Sequence, residues 1–322
     1  MRTLKVVCLL LALSVAGVEP AFSQTNKPGQ PLTARNLISL LKGSGTASGS
    51  AATSEGVVKG LARTKIYQFA SADYPGAPYS MIFDRNVSTA VGTFEFSGLA
   101  QGLTLKGQTY AILTVPGSIA CLIGGINTSG EMVGGYGDLS NSVHAFIDNA
   151  GVFTTFDFPG GSTTIALEIN DAGEIVGQYL DAANNQHGFL NNGGTFTQID
   201  FPGTTTGTSA SGINSSGEIV GYWEDSTNVQ HGFLLNNGIF TSIDFPLAKS
   251  TEAWGINDDG EISGSFVDTN SITHGFIFTG SAWGEVDVPG ASGTQLTQIK
   301  NNHNVVGAYS DSLNETHGLT GH

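Results

Sequence analysis

The chain has 322 residues, 45 of them Gly, and its 12 Lys and Arg against 27 Asp and Glu give a formal net charge of −15. Glycine is about twice as frequent, and charged residues about half as frequent, as in an average domain, which excludes coiled coils and helical bundles. The scarcity of Lys and Arg excludes nucleic-acid binding, because neutralising phosphates depends on them. The hydrophobic content of 39% is too high for a disordered chain.

Residues 1–23 have the pattern of a secretory signal peptide. Arg2 and Lys5 provide the positive start, an apolar stretch follows from Val6 to Val18, and residues 21–23 form a small-residue cleavage site. The stretch is shorter than the roughly 18 apolar residues of a membrane span, although an uncleaved anchor is the alternative. We therefore expect a secreted or periplasmic protein with no membrane span after cleavage.

Residues 24–64 are expected to form a flexible leader, because residues 43–54 are rich in Gly, Ser and Ala. Residues 65–322 form the repeat domain. Cys121 is the only cysteine outside the signal peptide. Neither an internal disulfide nor a cysteine metal site is therefore expected.

A 43-residue repeat organises this domain. Residues 169–203 read INDAGEIVGQYLDAANNQHGFLNNGGTFTQIDFPG, and residues 213–246 and 256–290 repeat the pattern. Partial copies begin at residues 126 and 299, and a degenerate copy occupies residues 91–117. The histidines of five copies are spaced by 43 or 44 residues: His144, His187, His231, His274 and His317.

Each copy contains four short strand signals bounded by turn residues. An Asn-x-x-Gly turn joins the first two strands, and a proline ends the fourth. Four strands in about 43 residues are typical of a β-propeller blade. We therefore predict an all-β fold, a six-bladed β-propeller of four-stranded repeats.

The ends of the domain predict how the ring closes. The last copy stops after its third strand, at residues 317–319, while residues 65–73 provide a fourth-strand sequence with no partner before it. We predict that this N-terminal strand joins the C-terminal blade.

The combined pattern INxxGxIVGxY…HGFL…IDFPG resembles the HAF repeat, an extracellular repeat family named after its His-Ala-Phe tripeptide. The tripeptide occurs once, at His144-Ala145-Phe146, and as His-Gly-Phe in the next three copies. The resemblance covers about residues 65–319 and implies secretion and a repeat fold. It implies no reaction, so no catalytic residue is assigned. The chain departs from the pattern at Gln101, in place of the histidine, and at Lys300, in place of the asparagine.

Four of the five repeat histidines precede an aspartate by 13 residues, and in the degenerate copy both positions change, to Gln101 and Thr114. This predicts a hydrogen-bonded pair within each blade, because buried polar groups need partners. One histidine per blade is too dispersed for a shared metal site. The predicted pairs are His144 with Asp157, His187 with Asp200, His231 with Asp244, His274 with Asp287 and, across the closure, His317 with Asp73.

A second repeated carboxylate begins a loop in each of five copies, four times as Asp-x-x-Asn: Asp138, Asp181, Asp225, Asp268 and Asp311. Asp and Asn in such loops cap local backbone donors. A weak Ca²⁺ loop is the alternative, since oxygen ligands suit hard cations. The loops lack the closely spaced carboxylates of calcium-binding loops, so we expect no metal and no cofactor.

The copies differ most along their first strand. If that strand is innermost, five side chains approach the central channel and offer an aromatic and carboxamide surface to a sugar or small polar ligand: Trp254, Glu252, Glu168, Gln295 and Gln298. Neutral drift of degenerate repeats is the alternative explanation.

We interpret the chain as an exported, non-enzymatic module that binds an extracellular carbohydrate or protein. One alternative is a hydrolase or lyase acting on a carbohydrate in the channel, with Glu168 and Glu252 as acid and base. A passive cell-surface or matrix component is another. The sequence leaves the ligand and the oligomeric state open.

Overall fold

The computed structural model describes residues 53–57, 66–204 and 207–322, which form 25 β-strands. The predicted signal peptide, residues 1–23, lies outside the described residues, as does most of the predicted leader. Within the described ranges, no helix is long and apolar enough to cross a membrane.

The strands form six antiparallel units: five are four-stranded meanders in chain order, and the sixth combines five strands from the two ends of the chain. Unit 1 contains β3 (Tyr79–Arg85), β4 (Thr89–Phe96), β5 (Leu99–Lys106) and β6 (Thr109–Leu113). Unit 2 contains β7 (Ser118–Ile126), β8 (Met132–Asp138), β9 (Val143–Asn149) and β10 (Val152–Phe156). Unit 3 contains β11 (Thr163–Ile169), β12 (Glu174–Leu180), β13 (Gln186–Asn192) and β14 (Thr195–Ile199).

Unit 4 contains β15 (Gly207–Ile213), β16 (Ile219–Glu224), β17 (Gln230–Asn236) and β18 (Ile239–Ile243). Unit 5 contains β19 (Ser250–Ile256), β20 (Ile262–Val267), β21 (Thr273–Phe278) and β22 (Trp283–Val286). Unit 6 contains β23 (Gly293–Ile299), β24 (Val305–Ser310) and β25 (Thr316–Gly321) from the C-terminus. Its remaining strands are β2 (Ile66–Ser71) and β1 (Thr53–Val57).

Both ends of the chain meet in unit 6, as the spare N-terminal strand predicts. Strand β2 pairs antiparallel with β25, with Phe69 opposite Gly321 and Ser71 opposite Leu319. Strand β1 pairs in turn with β2, so a fifth strand occurs inside the segment that we expected to be a flexible leader. An outer strand exposes unpaired backbone groups, and β1 satisfies those of β2.

Neighbouring units pack face to face. The first strands are almost entirely buried, since each is covered on both sides, and this explains why they lack an apolar-polar alternation. In units 2 to 5 the third strand places a phenylalanine over a glycine of the second. In unit 3 a Cβ on Gly177 would lie 2.1 Å from the carbonyl oxygen of Ile165 and 2.9 Å from the Phe189 ring, so only glycine fits.

The asparagine of the Asn-x-x-Gly turn links one unit to the next. Asn214 Oδ1 accepts hydrogen bonds from the amides of Ser216 and Glu218, which shapes its own turn. Its Nδ2 donates to Glu218 Oε2 at 2.8 Å and to the carbonyl oxygen of Asn257, in unit 5, at 3.1 Å. Asn86 and Asn170 make the same bond to the units that follow them. The repeated motif is therefore an inter-unit connection as well as a turn.

Unit 6 contacts unit 1 as each other unit contacts its successor. Thr316 of β25 pairs in parallel with Tyr79 of β3, and Thr297 Oγ1 donates to the carbonyl oxygen of Ile82 at 2.8 Å. Backbone pairing does not run continuously around the molecule, because the strands divide into three hydrogen-bonded sheets.

Candidate functional site

The six first strands meet at the centre of the molecule, and each has a β-bulge at the same position. A bulge turns the extra residue away from the regular alternation. The six bulged residues, together with Glu168, line a central cavity of about 10 Å³: Phe83, Gly124, Leu167, Ser211, Trp254 and Thr297. A space of this size holds about one water molecule.

All five residues that we predicted for a ligand site are buried, with 2–4% of their surfaces exposed. Trp254 and Glu168 line the cavity, whereas Glu252, Gln295 and Gln298 do not. Two pairs are brought together: Trp254 Nε1 donates to Glu252 Oε2 at 3.1 Å, and Gln298 Nε2 donates to Glu168 Oε2 at 2.7 Å. The cavity has no room for a sugar ring, so the structure gives no support to a carbohydrate site at this level.

A buried charged cluster occupies the level beyond the bulges. The Lys300 ammonium pairs with Asp84 Oδ1, while Asp84 Oδ2 accepts a hydrogen bond from the Ile126 amide at 2.8 Å. Asp84 is fully buried, and Glu168 and Gln298 complete the cluster. Asp84, Glu168 and Gln298 occupy the same position of the first strand, directly after the bulge, in units 1, 3 and 6. In units 2, 4 and 5 this position is glycine. A Cβ on Gly255, for example, would lie 2.4 Å from Gln298 Oε1.

The cluster favours a neutral Glu168 and a charged Lys300. Burial, followed by the nearby Asp84 carboxylate, raises the pKa of Glu168 well above its usual range. Burial lowers the pKa of Lys300, but the carboxylates of Asp84 and Glu168 raise it by more, so the net pKa is raised. Asp84 and Lys300 therefore form an ion pair whose charges balance.

Glu252 is a second buried carboxyl group. Its Oε2 accepts hydrogen bonds from Trp254 and Ser265, and its Oε1 has no hydrogen-bond partner among the described residues. Burial raises the pKa of Glu252 to about 8. A carboxyl group in this setting is neutral at mildly acidic pH and cannot reach a bound substrate.

Sequence reasoning missed Phe83, Asp84 and the inward role of Lys300. The first strand of unit 1 lacks the Ile-Asn signature, so we did not align it with the other copies. Asn86 was the available signal in the sequence, because it lies 41 residues before Asn127, close to the repeat period. In the structure its Nδ2 donates to the Asn127 carbonyl oxygen. That alignment places Asp84 at the position of Gly125.

The repeated histidines and aspartates lie at the end of the units where each first strand begins. We call this end the loop face. Nδ1 of each of the five histidines lies 2.9–3.0 Å from the aspartate 13 residues later, or from Asp73 for His317. Nε2 lies 3.6–3.8 Å from the loop aspartate of the same unit. Each predicted pair is thus extended to an Asp-His-Asp frame.

Stacking and backbone capping hold these frames in place. His187 stacks on Tyr179, whose other face stacks on Phe158. Asp181 Oδ1 accepts hydrogen bonds from the amides of Ala183 and Asn185, each at 2.8 Å. In unit 4 the equivalent bonds lower the pKa of Asp225 to about 2. The loop aspartates therefore perform the capping that we expected of them.

No protein-family model matches the chain, and no curated protein matches it in sequence. Solved structures are similar in fold. AofleA from Arthrobotrys oligospora has 12% identity and a TM-score of 0.50, with 78% of this chain and 85% of that one covered. TolB from Acinetobacter baumannii has 11% identity and a TM-score of 0.52, with 72% and 63% covered.

A fungal lectin from Aleuria aurantia, described as having a six-bladed β-propeller fold and a novel fucose recognition mode, has 13% identity and a TM-score of 0.48, with 74% and 92% covered. At these identities the comparisons concern the fold alone.

Proposed function

We propose that this chain is an exported, six-bladed β-propeller that acts as a binding module, with its partner on the loop face. Three contacts support closure of the ring: the β2–β25 pairing, the β25–β3 pairing and the His317–Asp73 hydrogen bond. Deletion of residues 66–73 tests closure. We expect a clear fall in the melting temperature, and an unchanged one would contradict it.

The variable loops on a repeated frame carry the functional proposal. Five near-identical Asp-His-Asp frames hold loops that differ in sequence from unit to unit, from LSNS at residues 139–142 to SLNE at residues 312–315. Rigid frames that present variable loops are typical of binding surfaces. At the centre, by contrast, the side chains are paired with one another, so they do not present a variable surface to a ligand.

Charge indicates the kind of partner. Each frame places two carboxylates around one histidine, and among the residues that the structure describes Lys249 is the only Lys or Arg on this face. Complementary charge steers partners toward each other, so a protein or peptide with a basic surface fits best. The aromatic residues of the frames are engaged in stacks, which leaves few open rings for a sugar.

The enzyme alternative has little support. Its two candidate carboxyl groups, Glu168 and Glu252, are each 4% exposed and hydrogen-bonded to Gln298 and Trp254. A glycosidase needs both groups to reach the scissile bond of a bound sugar. The central cavity of about 10 Å³ does not admit one.

Two matched variants test the binding face. Ala182→Lys with Ser226→Lys adds two positive charges at exposed loop-face positions, and Ala172→Lys with Ser216→Lys adds the same charge at the opposite, exposed turns. Binding of an oligolysine peptide is measured at low salt for both, together with a glycan panel that includes fucosides.

We expect the loop-face variant to weaken oligolysine binding several-fold and the turn-face variant to leave it nearly unchanged. Equal effects of the two variants would contradict the proposed face. Binding of a glycan but not of the peptide would favour carbohydrate as the partner instead.

A further inference from the structure

Unit 5 differs from its sister units in one side chain beside its frame. The fourth strand carries Gln198 in unit 3 and Ser242 in unit 4, two residues before the frame aspartate. Gln198 Nε2 donates to Asp200 Oδ2 at 2.5 Å, and Ser242 Oγ donates to Asp244 Oδ2 at 2.6 Å. In unit 5 this position is Glu285, a carboxylate, which accepts hydrogen bonds and does not donate them when ionised.

The presence of Glu285 changes which potential metal ligands lie beside the frame of unit 5. A ligand atom of His274, one of Glu285 and one of Asp287 all lie within 4.8 Å of one another, and none of the three residues is fully exposed. Where units 3 and 4 place a donor against the aspartate, unit 5 places a second carboxylate. Two carboxylates and an imidazole at this separation are a donor set that suits a divalent cation.

The imidazole is already oriented for such a role. It stacks on Phe266 with 5.1 Å between ring centroids, and Phe266 stacks in turn on Phe245. Nδ1 faces Asp287 at 2.9 Å, while Nε2 faces Asp268 at 3.8 Å. A cation bound by Nδ1 and Asp287 takes the place of the proton in this hydrogen bond, and the remaining ring proton, on Nε2, points to the Asp268 carboxylate, the arrangement that orients and strengthens metal-ligating histidines.

We propose that His274, Glu285 and Asp287 form a divalent transition-metal site on the loop face, with Asp268 supporting His274. The nitrogen ligand favours Zn²⁺ over Ca²⁺, which prefers oxygen ligands. Three protein ligands leave a coordination position for water or for an external group. This site stands independently of the proposed partner, because it rests on residues of one unit.

Titration calorimetry of the chelator-treated chain with Zn²⁺, and with Ca²⁺ as the comparison ion, tests the proposal. The wild type is expected to bind one Zn²⁺ more tightly than Ca²⁺. Glu285→Gln is expected to weaken Zn²⁺ binding by at least about ten-fold, and Asp268→Asn by about ten-fold through loss of support for the histidine. Glu315→Gln is the control: Glu315 belongs, with Asp311 and His317, to a second and more exposed group whose ligand atoms also lie within 4.8 Å of one another, and the change should leave Zn²⁺ binding in unit 5 unchanged.

A gain of binding makes the test independent of any loss of folding. Ser242→Glu gives unit 4 the same donor set, and we expect a second Zn²⁺ to bind. Absence of Zn²⁺ binding in the wild type, unchanged binding in Glu285→Gln, or equal affinity for Ca²⁺ would each overturn the proposal. If Glu315→Gln reduces the number of Zn²⁺ ions bound per chain, the ion belongs to unit 6, and this result would also overturn the proposal.

Discussion

Replacing Lys300 with Met provides the sharpest test of the central cluster. Lys300 is the only cation that the structure places beside Asp84, whose carboxylate is fully buried. Removal of one partner of a buried ion pair leaves an uncompensated charge, which costs about 3–5 kcal/mol. Methionine keeps much of the side-chain volume, so the loss of stability measures the effect of the missing charge and not that of a cavity.

Protonation limits the size of this effect. A carboxylate that has lost its partner escapes the penalty by taking up a proton, and for an ordinary aspartate in an unfolded chain, with a pKa of about 3.9, the free-energy cost of protonation decreases as the pH falls. At pH 7 that cost is about 4 kcal/mol, and at pH 5 it is about 1.5 kcal/mol, at about 1.4 kcal/mol per pH unit. The destabilisation of the variant should therefore decrease by more than half between these two pH values.

Urea denaturation of both chains at pH 5 and at pH 7, followed by tryptophan fluorescence, measures this difference. Lys249→Met is the matched control, because the Lys249 side chain is exposed and its ammonium donates to Ser271 Oγ; we expect the change to cost less than about 1 kcal/mol at either pH. Adding Asp84→Asn to Lys300→Met should restore most of the lost stability. A loss below about 0.5 kcal/mol at pH 7, or one of equal size at both pH values, would refute the reasoning.

Three further predictions concern stability and are measured by the same denaturation assay. Asn214→Ala should cost about 3 kcal/mol, because it removes the link to unit 5 and leaves several buried groups without partners; a loss under about 1 kcal/mol would contradict this. Glu252→Gln should flatten the pH dependence of unfolding. With a pKa of about 8 in the folded chain and 4.5 unfolded, Glu252 stabilises the fold below pH 4.5 and loses this contribution as the pH rises to 8, by up to about 1.4 kcal/mol per pH unit. An equal slope in variant and wild type would argue against a buried neutral Glu252. Gly255→Ala should destabilise strongly, since its Cβ would lie 2.7 Å from the backbone Cα of Gln298, whereas Gly293→Ala, with no atom nearer than 3.5 Å, should be nearly neutral; similar effects would show that the centre is less crowded than the structure indicates.

The repeat made the strands, the unit boundaries and the histidine pairs predictable. Each of these features depends on contacts within one unit, so the same residue pattern occurs in the sequence at a regular spacing in five copies. The pairing of residues 66–71 with the last unit followed from counting strands, and the His317–Asp73 contact followed from the spacing of the other pairs.

The centre was less predictable because its contacts join units that are distant in sequence. The bulge in each first strand decides which side chains reach the cavity, and the sequence pattern shows no bulge. Trp254 and Glu168 therefore line the cavity, while Glu252 and Gln298, predicted for the same surface, do not. Asp84 and Lys300 interact across 216 residues and belong to the two copies that depart most from the pattern.

Differences between copies have separate consequences at the two places where they occur. At the centre, one unusual side chain compensates another: Lys300 balances Asp84, Gln298 binds Glu168, and glycine occupies the remaining equivalent positions. Such differences complete the interior of the fold. On the loop face the frames are constant and the residues beside them, such as Glu285 and Glu315, change the surface without changing the frame. A variable surface on a constant frame can acquire ligands at no structural cost, and this is why we look for function there.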